Sequence, residues 1–241
     1  MWDSFQAIAK SLANELAGDL FRPNCGLCGK VSEKYVCHYC DRQLSACLAP
    51  EPIQSDPNLP HSILLFAWGI YEQTLKQAIT QCKYNNHPEI ALHLGERMGE
   101  VWQSQSQTWN LKLPVIPIPM HPDKQKQRGF NQAEELAKGF CQVTHLPHRP
   151  QWLTRVKNTT PQMQTKSKQE REANLAQAFQ AHIPSHQKVR SVILLDDIYT
   201  TGTTIREAIK ALQAEGIRTA SVVVLARPSF QPPPKRTSAI A

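Results

Sequence analysis

Apolar and polar positions along this chain repeat with two periods, and the change from one period to the other marks its elements. Trp2, Phe5, Ile8, Leu12 and Leu16 recur at helical spacing, which predicts an amphipathic helix over residues 1–20. The apolar run "ILLFAWGIY" (63–71) predicts a strand entering the main domain. Helical periodicity returns at 72–82 and 88–103, on either side of the polar loop "KYNNHP", and "LPVIPIP" (113–119) is a short strand punctuated by prolines. A helix is expected over 131–141, with Asn131 placed to cap it. The stretch "SVILLDDIYTTGTT" (191–204) runs as a buried strand into two acids and a Thr- and Gly-rich turn, a helix follows over 203–215, and "TASVVVLA" (219–226) is a last strand. Strands alternating with helices predict an α/β fold with a mostly parallel sheet flanked by helices.

Composition divides this pattern into regions. Residues 49–62, "APEPIQSDPNLPHS", are rich in proline and polar residues and are expected to be a linker between a small cysteine-rich module (21–48) and the main domain (63–228). The proline-rich tail 229–241 is expected to be disordered. No apolar run reaches the length of a membrane span, and Asp3, Lys10, Glu15 and Asp19 within the first twenty residues argue against a secretory signal. With seven cysteines, four of them clustered, a secreted disulfide framework is a poor fit and a reducing cytoplasm a better one.

The formal charge of +7 is unevenly placed. Residues 1–120 carry 9 Lys/Arg against 11 Asp/Glu, whereas residues 121–171 carry 10 against 4. That middle segment predicts an anionic partner, for which phosphates and nucleic acid both qualify.

"CGLCGKVSEKYVCHYC" sets Cys25, Cys28, Cys37 and Cys40 as two C-x-x-C pairs. Two such knuckles turn four thiolates toward one tetrahedral ion, and zinc supplies the stability that so short a segment cannot obtain from its own core. With sulfur at all four positions no place remains for a reacting water, so the expected zinc is structural. His38 lies inside the second pair, where it is a poor ligand, and Cys47, Cys82 and Cys141 read as small core residues.

Asp196 and Asp197 stand side by side at the end of a strand, and adjacent carboxylates repel more strongly as they are buried. Something positive or hydroxylated is expected to meet them. Ligands of open parallel sheets bind beyond the carboxyl ends of strands, and the following "TTGTT" (Thr200, Thr201, Gly202, Thr203, Thr204) leads into a helix start, where backbone N–H groups cradle a phosphate. Acids for hydroxyls or a magnesium shell, then amides for a phosphate, suit a ribose 5-phosphate. A nucleoside triphosphatase would need G-x-x-x-x-G-K-[ST] upstream; the chain offers only "CGKV" (28–31), inside the cysteine cluster.

Residues 192–204 resemble the phosphoribosyl diphosphate (PRPP) motif of type I phosphoribosyltransferases. By that resemblance Asp196 and Asp197 contact ribose hydroxyls, Thr200–Thr204 hold the 5-phosphate, and magnesium accompanies PRPP. "HPDKQKQRGFNQAEELAK" (121–138), "LTRVKNTTPQ" (153–162) and "EREANLAQAF" (170–179) are similar to the ComF family, as is the order of cysteine knuckle, "KYNNHPEIALHLG" (83–95) and PRPP loop; the match covers residues 22 to 228. The resemblance implies a phosphoribosyltransferase-like domain joined to a zinc knuckle. It also implies a role in DNA uptake during natural transformation (competence), where incoming single-stranded DNA enters the cytoplasm, with PRPP, a nucleotide or a DNA end in the phosphoribosyl site and DNA-uptake helicase or channel proteins as partners. It places Arg128, with Lys124 and Lys126, where type I enzymes hold diphosphate, and Arg155, Lys157 and Arg171 beside a mobile hood.

The second reading is an active phosphoribosyltransferase of nucleotide metabolism, which moves ribose 5-phosphate from PRPP to a nitrogen acceptor. No segment names a base or amine acceptor. No cysteine has the partnered base that glutamine-dependent enzymes require.

Overall fold

The structure is a computed structural model and describes residues 23–84, 87–105, 112–156, 178–184 and 186–229. Its strands are β1 (Ile53–Gln54), β2 (Leu64–Ile70), β3 (Val115–Pro117), β4 (Leu153–Arg155), β5 (Phe179–Ala181), β6 (Ser191–Ile198) and β7 (Arg218–Arg227). Its helices are α1 (His38–Ser45), α2 (Gln73–Tyr84), α3 (Pro88–Ser104), α4 (Pro122–Arg128), α5 (Gln132–Thr144) and α6 (Thr203–Ala214). Five strands form one sheet in the order β1-β2-β7-β6-β3, all parallel except the antiparallel edge strand β1. Strands β4 and β5 pair antiparallel as a separate ribbon. The α/β architecture with a mostly parallel sheet is the one the sequence predicts.

Because successive strand residues face opposite ways, each central strand feeds two cores. Phe66, Trp68, Ile193, Leu195, Val223 and Leu225 pack on one face with α2, α3 and α5. Leu65, Ala67, Val192, Leu194, Val222 and Val224 pack on the other with α6. Covering both faces removes the polar alternation of a one-sided sheet, so these strands read as continuous apolar runs.

Helices α3 and α5 cross so closely that their backbones touch. A Cβ at Gly139 would lie 2.1 Å from the Leu92 carbonyl oxygen, and one at Gly95 would lie 2.1 Å from that of Leu136. Trp102 fills the adjoining space edge-on to both Phe66 and Phe140, at ring-centroid distances of 5.4 and 5.7 Å.

Residues 49–62 do more than connect. Ile70 N donates to Cys47 O, Ala49 N to the Trp68 carbonyl, and Ile53 and Gln54 pair with Phe66 and Leu65, so the chain runs antiparallel along β2. The outer edge of β2 would otherwise leave backbone groups unpaired, and this stretch satisfies them. Leu59, from the same stretch, is buried in the second core.

Asn131 also departs from expectation. Its side chain makes no cap bond to α5 and instead donates from Nδ2 to the Ile118 carbonyl at 3.0 Å, tying the helix start to the loop after β3. Helices α1 and α4 and strands β4 and β5 are too short to show a period, and the sequence pattern did not reveal them. The expected helix over 1–20 and the tail beyond Ser229 lie outside the described residues. Among the described residues, no helix is long and apolar enough to cross a membrane.

Candidate functional site

A cleft of about 330 Å³ opens at the carboxyl ends of β3 and β6. Residues Ile118–Met120 after β3 form one wall, and Asp196–Ile205, from the end of β6 into α6, form another. Lys83 from α2, Lys124 and Arg128 from α4, the start of α5 and Arg155 from β4 complete it. All seven predicted PRPP-loop residues and Arg128 therefore come together in one place. Lys126 points to solvent from α4 and does not line the cleft. Lys157 and Arg171 lie outside the described residues, as do the T-P-Q segment and most of 170–179.

The loop from Tyr199 to Thr203 has a defined shape. Gly202 stands at the N-cap of α6 in the left-handed region (φ +68°), where a Cβ would lie 2.4 Å from the Tyr199 hydroxyl. Glycine is required there for both backbone conformation and space. Tyr199, 3 % exposed, lies beneath the loop and donates from its hydroxyl to Asp56 Oδ1 at 3.0 Å. Arg206, one turn into α6, donates to the Thr201 carbonyl at 2.8 Å and to Thr203 Oγ1 at 3.2 Å, and the Thr201 and Thr203 hydroxyls are 2.9 Å apart. These bonds fix the loop around the backbone N–H groups that begin α6, and helix starts of this kind favour anions.

The acid pair is fixed in the same manner. Asp196 Oδ1 accepts the Asp197 N–H at 2.8 Å, and Asp197 Oδ1 accepts the Ile198 N–H at 2.7 Å. Lys83 Nζ lies 2.6 Å from Asp197 Oδ2. Burial, and then the neighbouring Asp197 charge, push the Asp196 carboxyl up to about 8, with Lys83 and Arg155 only partly offsetting them. Two adjacent carboxylates are the hard oxygen donors that magnesium favours, so the donor set fits that ion.

Around the acids the cations crowd one another. Burial, then Arg155 and Arg128, lower the pKa of Lys124. Burial lowers that of Arg155 despite Asp196 nearby, and its guanidinium lies 5.4 Å from the Phe179 ring centroid. Arg128 donates from Nη1 to Gln132 Oε1 at 2.9 Å. Such a set gains when an anion arrives to relieve it.

Sequence reasoning missed Lys83, Gln132, Arg206 and the Asp56–Tyr199 contact. "KYNNHP" reads as a polar loop, but its first residue belongs to the last turn of α2, and the packing of that helix on the sheet brings Lys83 to Asp197. The Q of R-G-F-N-Q is Gln132, which the sequence marks only through the family resemblance.

The four cysteines converge as their spacing predicts. Their sulfurs all lie within 4.8 Å of one another, with Cys28 and Cys37 at 3.7 Å. A tetrahedral zinc with Zn–S of about 2.3 Å sets sulfurs about 3.8 Å apart, so the cluster fits that ion. Burial opposes a charge on Cys25, but backbone N–H groups led by that of Cys37 lower its pKa to about 6. The module is built into the domain: Cys25, Val36, Cys40 and Leu44 belong to the first core. Asp41 Oδ1 lies 2.8 Å from His93 Nε2 and 3.5 Å from Arg97 Nε, both on α3.

Comparison with known proteins agrees with this picture. Residues 126–240 match the phosphoribosyl transferase domain. Competence protein F of Haemophilus influenzae is 31 % identical over 208 residues, 85 % of each chain. The DNA utilization protein YhgH of Shigella flexneri is 30 % identical over 159 residues, 65 % of this chain and 69 % of its own. Competence protein ComFC of Bacillus subtilis is 28 % identical over 151 residues, 61 % of this chain and 56 % of its own.

Proposed function

The chain belongs to the ComF family of phosphoribosyltransferase-domain proteins, and from that premise we propose that its cleft binds PRPP with magnesium and that the protein acts in DNA uptake during natural transformation. The observation that carries the ligand is the pairing, at one strand end, of two carboxylates with a helix-start phosphate loop, inside a cleft walled by Lys83, Lys124, Arg128 and Arg155. Asp196 and Asp197 accept hydrogen bonds from the ribose hydroxyls. The N–H groups at Thr201–Thr204, with the threonine hydroxyls, hold the 5-phosphate. Arg128 and Lys124 face the diphosphate, and filling the cleft relieves their mutual repulsion. When bound, magnesium supplies neutralisation of the diphosphate charge.

The DNA-uptake role draws on the names of the relatives, which speak of competence and DNA utilization. In that role the protein works in the cytoplasm on incoming single-stranded DNA, beside helicase or channel proteins of the uptake machinery. The excess of lysine and arginine over 121–171 supports an anionic partner of that kind. Structural zinc on Cys25, Cys28, Cys37 and Cys40 completes the reading.

Calorimetric titration of PRPP with magnesium into the zinc-loaded chain tests it, beside an Asp196→Asn/Asp197→Asn variant. Binding by the native chain and its loss in the variant are expected. No binding by either would overturn the PRPP reading and turn attention to single-stranded DNA. Release of diphosphate with one nitrogen acceptor would instead favour a transferase of nucleotide metabolism.

A further inference from the structure

Asp197 does not face the cleft as a bare carboxylate. One oxygen accepts the Ile198 N–H, and the other is 2.6 Å from Lys83 Nζ. Magnesium binds carboxylate oxygen at about 2.0–2.1 Å. An ammonium seated on the same oxygen occupies that position and repels the ion. Lys83 is also no loose surface charge. It lies at the end of α2 (Gln73–Tyr84), and its side chain is 23 % exposed against 19 % for Asp197.

We propose that Lys83 is the resident counter-cation of the acid pair: it bars a free divalent ion from Asp197 and gives up that carboxylate only when an anionic ligand draws its ammonium away. A divalent ion then enters together with a diphosphate-bearing ligand and not before it. This inference rests on reading the cleft as a metal–PRPP site.

A neighbouring side chain supports the exchange. Gln132, 4 % exposed, accepts from Arg128 with Oε1, while its Nε2 is buried with no hydrogen-bond partner among the described residues. Gln132 lines both the cleft and a small gap that Asp197 and Cys82 also bound. An unmade hydrogen bond at a buried donor costs free energy that an arriving acceptor recovers. Lys83, Arg128 and Gln132 Nε2 thus offer an anion three donors beside the carboxylate that the lysine vacates.

Equilibrium dialysis of Mn²⁺, standing in for magnesium, against the zinc-loaded full chain tests this without any phosphoribosyl ligand. The native chain is expected to hold no Mn²⁺ alone and to gain it when inorganic diphosphate is present on both sides of the membrane. Lys83→Met is expected to bind Mn²⁺ alone at least about tenfold more tightly than the native chain. Lys83→Arg should behave as native, and Lys83→Met/Asp197→Asn should lose the gain. Equal binding of Mn²⁺ alone by the native chain and Lys83→Met overturns the proposal. So does a gain that survives in the double variant, or no gain in either the variant or the diphosphate arm. If Lys83→Met does not fold, the native chain with and without diphosphate decides. Failure of PRPP to bind in calorimetry would overturn the proposed function while leaving the dialysis result readable on its own.

Discussion

The hydroxyl of Tyr199 donates to the carboxylate of Asp56 at 3.0 Å, joining residues 143 positions apart in the chain. One belongs to the loop after the acid pair, and the other to the proline-rich stretch that borders β2. Above this contact stands Gly202, whose missing side chain leaves room for the tyrosine oxygen. The loop over residues 199–203 therefore rests on a strut from a segment that looks, in sequence, like a connector. Tyr199→Phe removes the donor to a charged acceptor and should cost about 1–2 kcal/mol in stability. It should also weaken PRPP binding while leaving zinc content unchanged. Denaturant titration, calorimetry and metal analysis on the same preparation check all three.

Gly202→Ala acts on the same place from above. A side chain there meets the Tyr199 oxygen at 2.4 Å and must hold φ near +68°. The strain of that conformation is about 1–2 kcal/mol, and loss of PRPP binding is expected to exceed it because the loop amides are re-aimed. A calorimetric titration of Gly202→Ala that matched the native chain would remove the loop from the site.

Gly139→Ala probes the fold away from the cleft. Its Cβ would stand 2.1 Å from the Leu92 carbonyl oxygen and 2.9 Å from the Glu96 nitrogen, both backbone atoms of α3. The helices must part, at a cost of about 2 kcal/mol or more. A denaturation midpoint equal to that of the native chain would contradict the close crossing.

The raised pKa of Asp196 fixes the sign of a pH dependence. Its folded value, about 8, exceeds the ordinary aspartate value of 3.8. Between these limits the folded state binds more protons than the unfolded chain, so this group's contribution to stability is complete below about pH 4 and is lost as pH rises toward 8. Asp196→Asn should therefore gain on the native chain in melting temperature as pH rises from 5 to 8. Parallel thermal melts across that range, with no PRPP or magnesium present, would show it; a constant difference would mean that the carboxyl is already ionised at pH 5.

Zinc removal should reach beyond the knuckle. Cys25, Val36, Cys40 and Leu44 lie in the same core as Trp68 and Leu94, and Asp41 holds His93 and Arg97 of α3. One zinc per chain is expected by mass spectrometry under native conditions. Stripping it, or replacing Cys28 by Ser, should lower the melting temperature of the whole chain instead of producing a separate early transition. Two independent transitions would mean that the module folds by itself.

Much of this molecule follows from local chemistry. Four cysteines in two C-x-x-C pairs converge because each tight turn fixes two sulfurs, so their meeting needs little beyond the spacing. The strand–acid–acid–threonine run of 191–204 carries its own geometry, since an apolar strand followed by a glycine-bearing turn and a helix start places acids and amides at one end whatever surrounds them. The parallel sheet follows from apolar runs alternating with helices. Short elements left no period to read: β4 and β5 are three residues each, and Asn131 looks like a cap although its amide is used elsewhere.

The sequence by itself determined the longer strands and helices, the cysteine cluster and the loop that carries the acids, because those depend on interactions a few residues apart. Only the tertiary structure decided what surrounds that loop. Lys83 reaches Asp197 from 114 positions away, and Asp56 reaches Tyr199 from 143. Residues 49–62 became a sheet edge because the backbone of β2 needed partners. Contacts of that kind arise from closing long loops around a shared core, and no pattern within either partner's own neighbourhood records them.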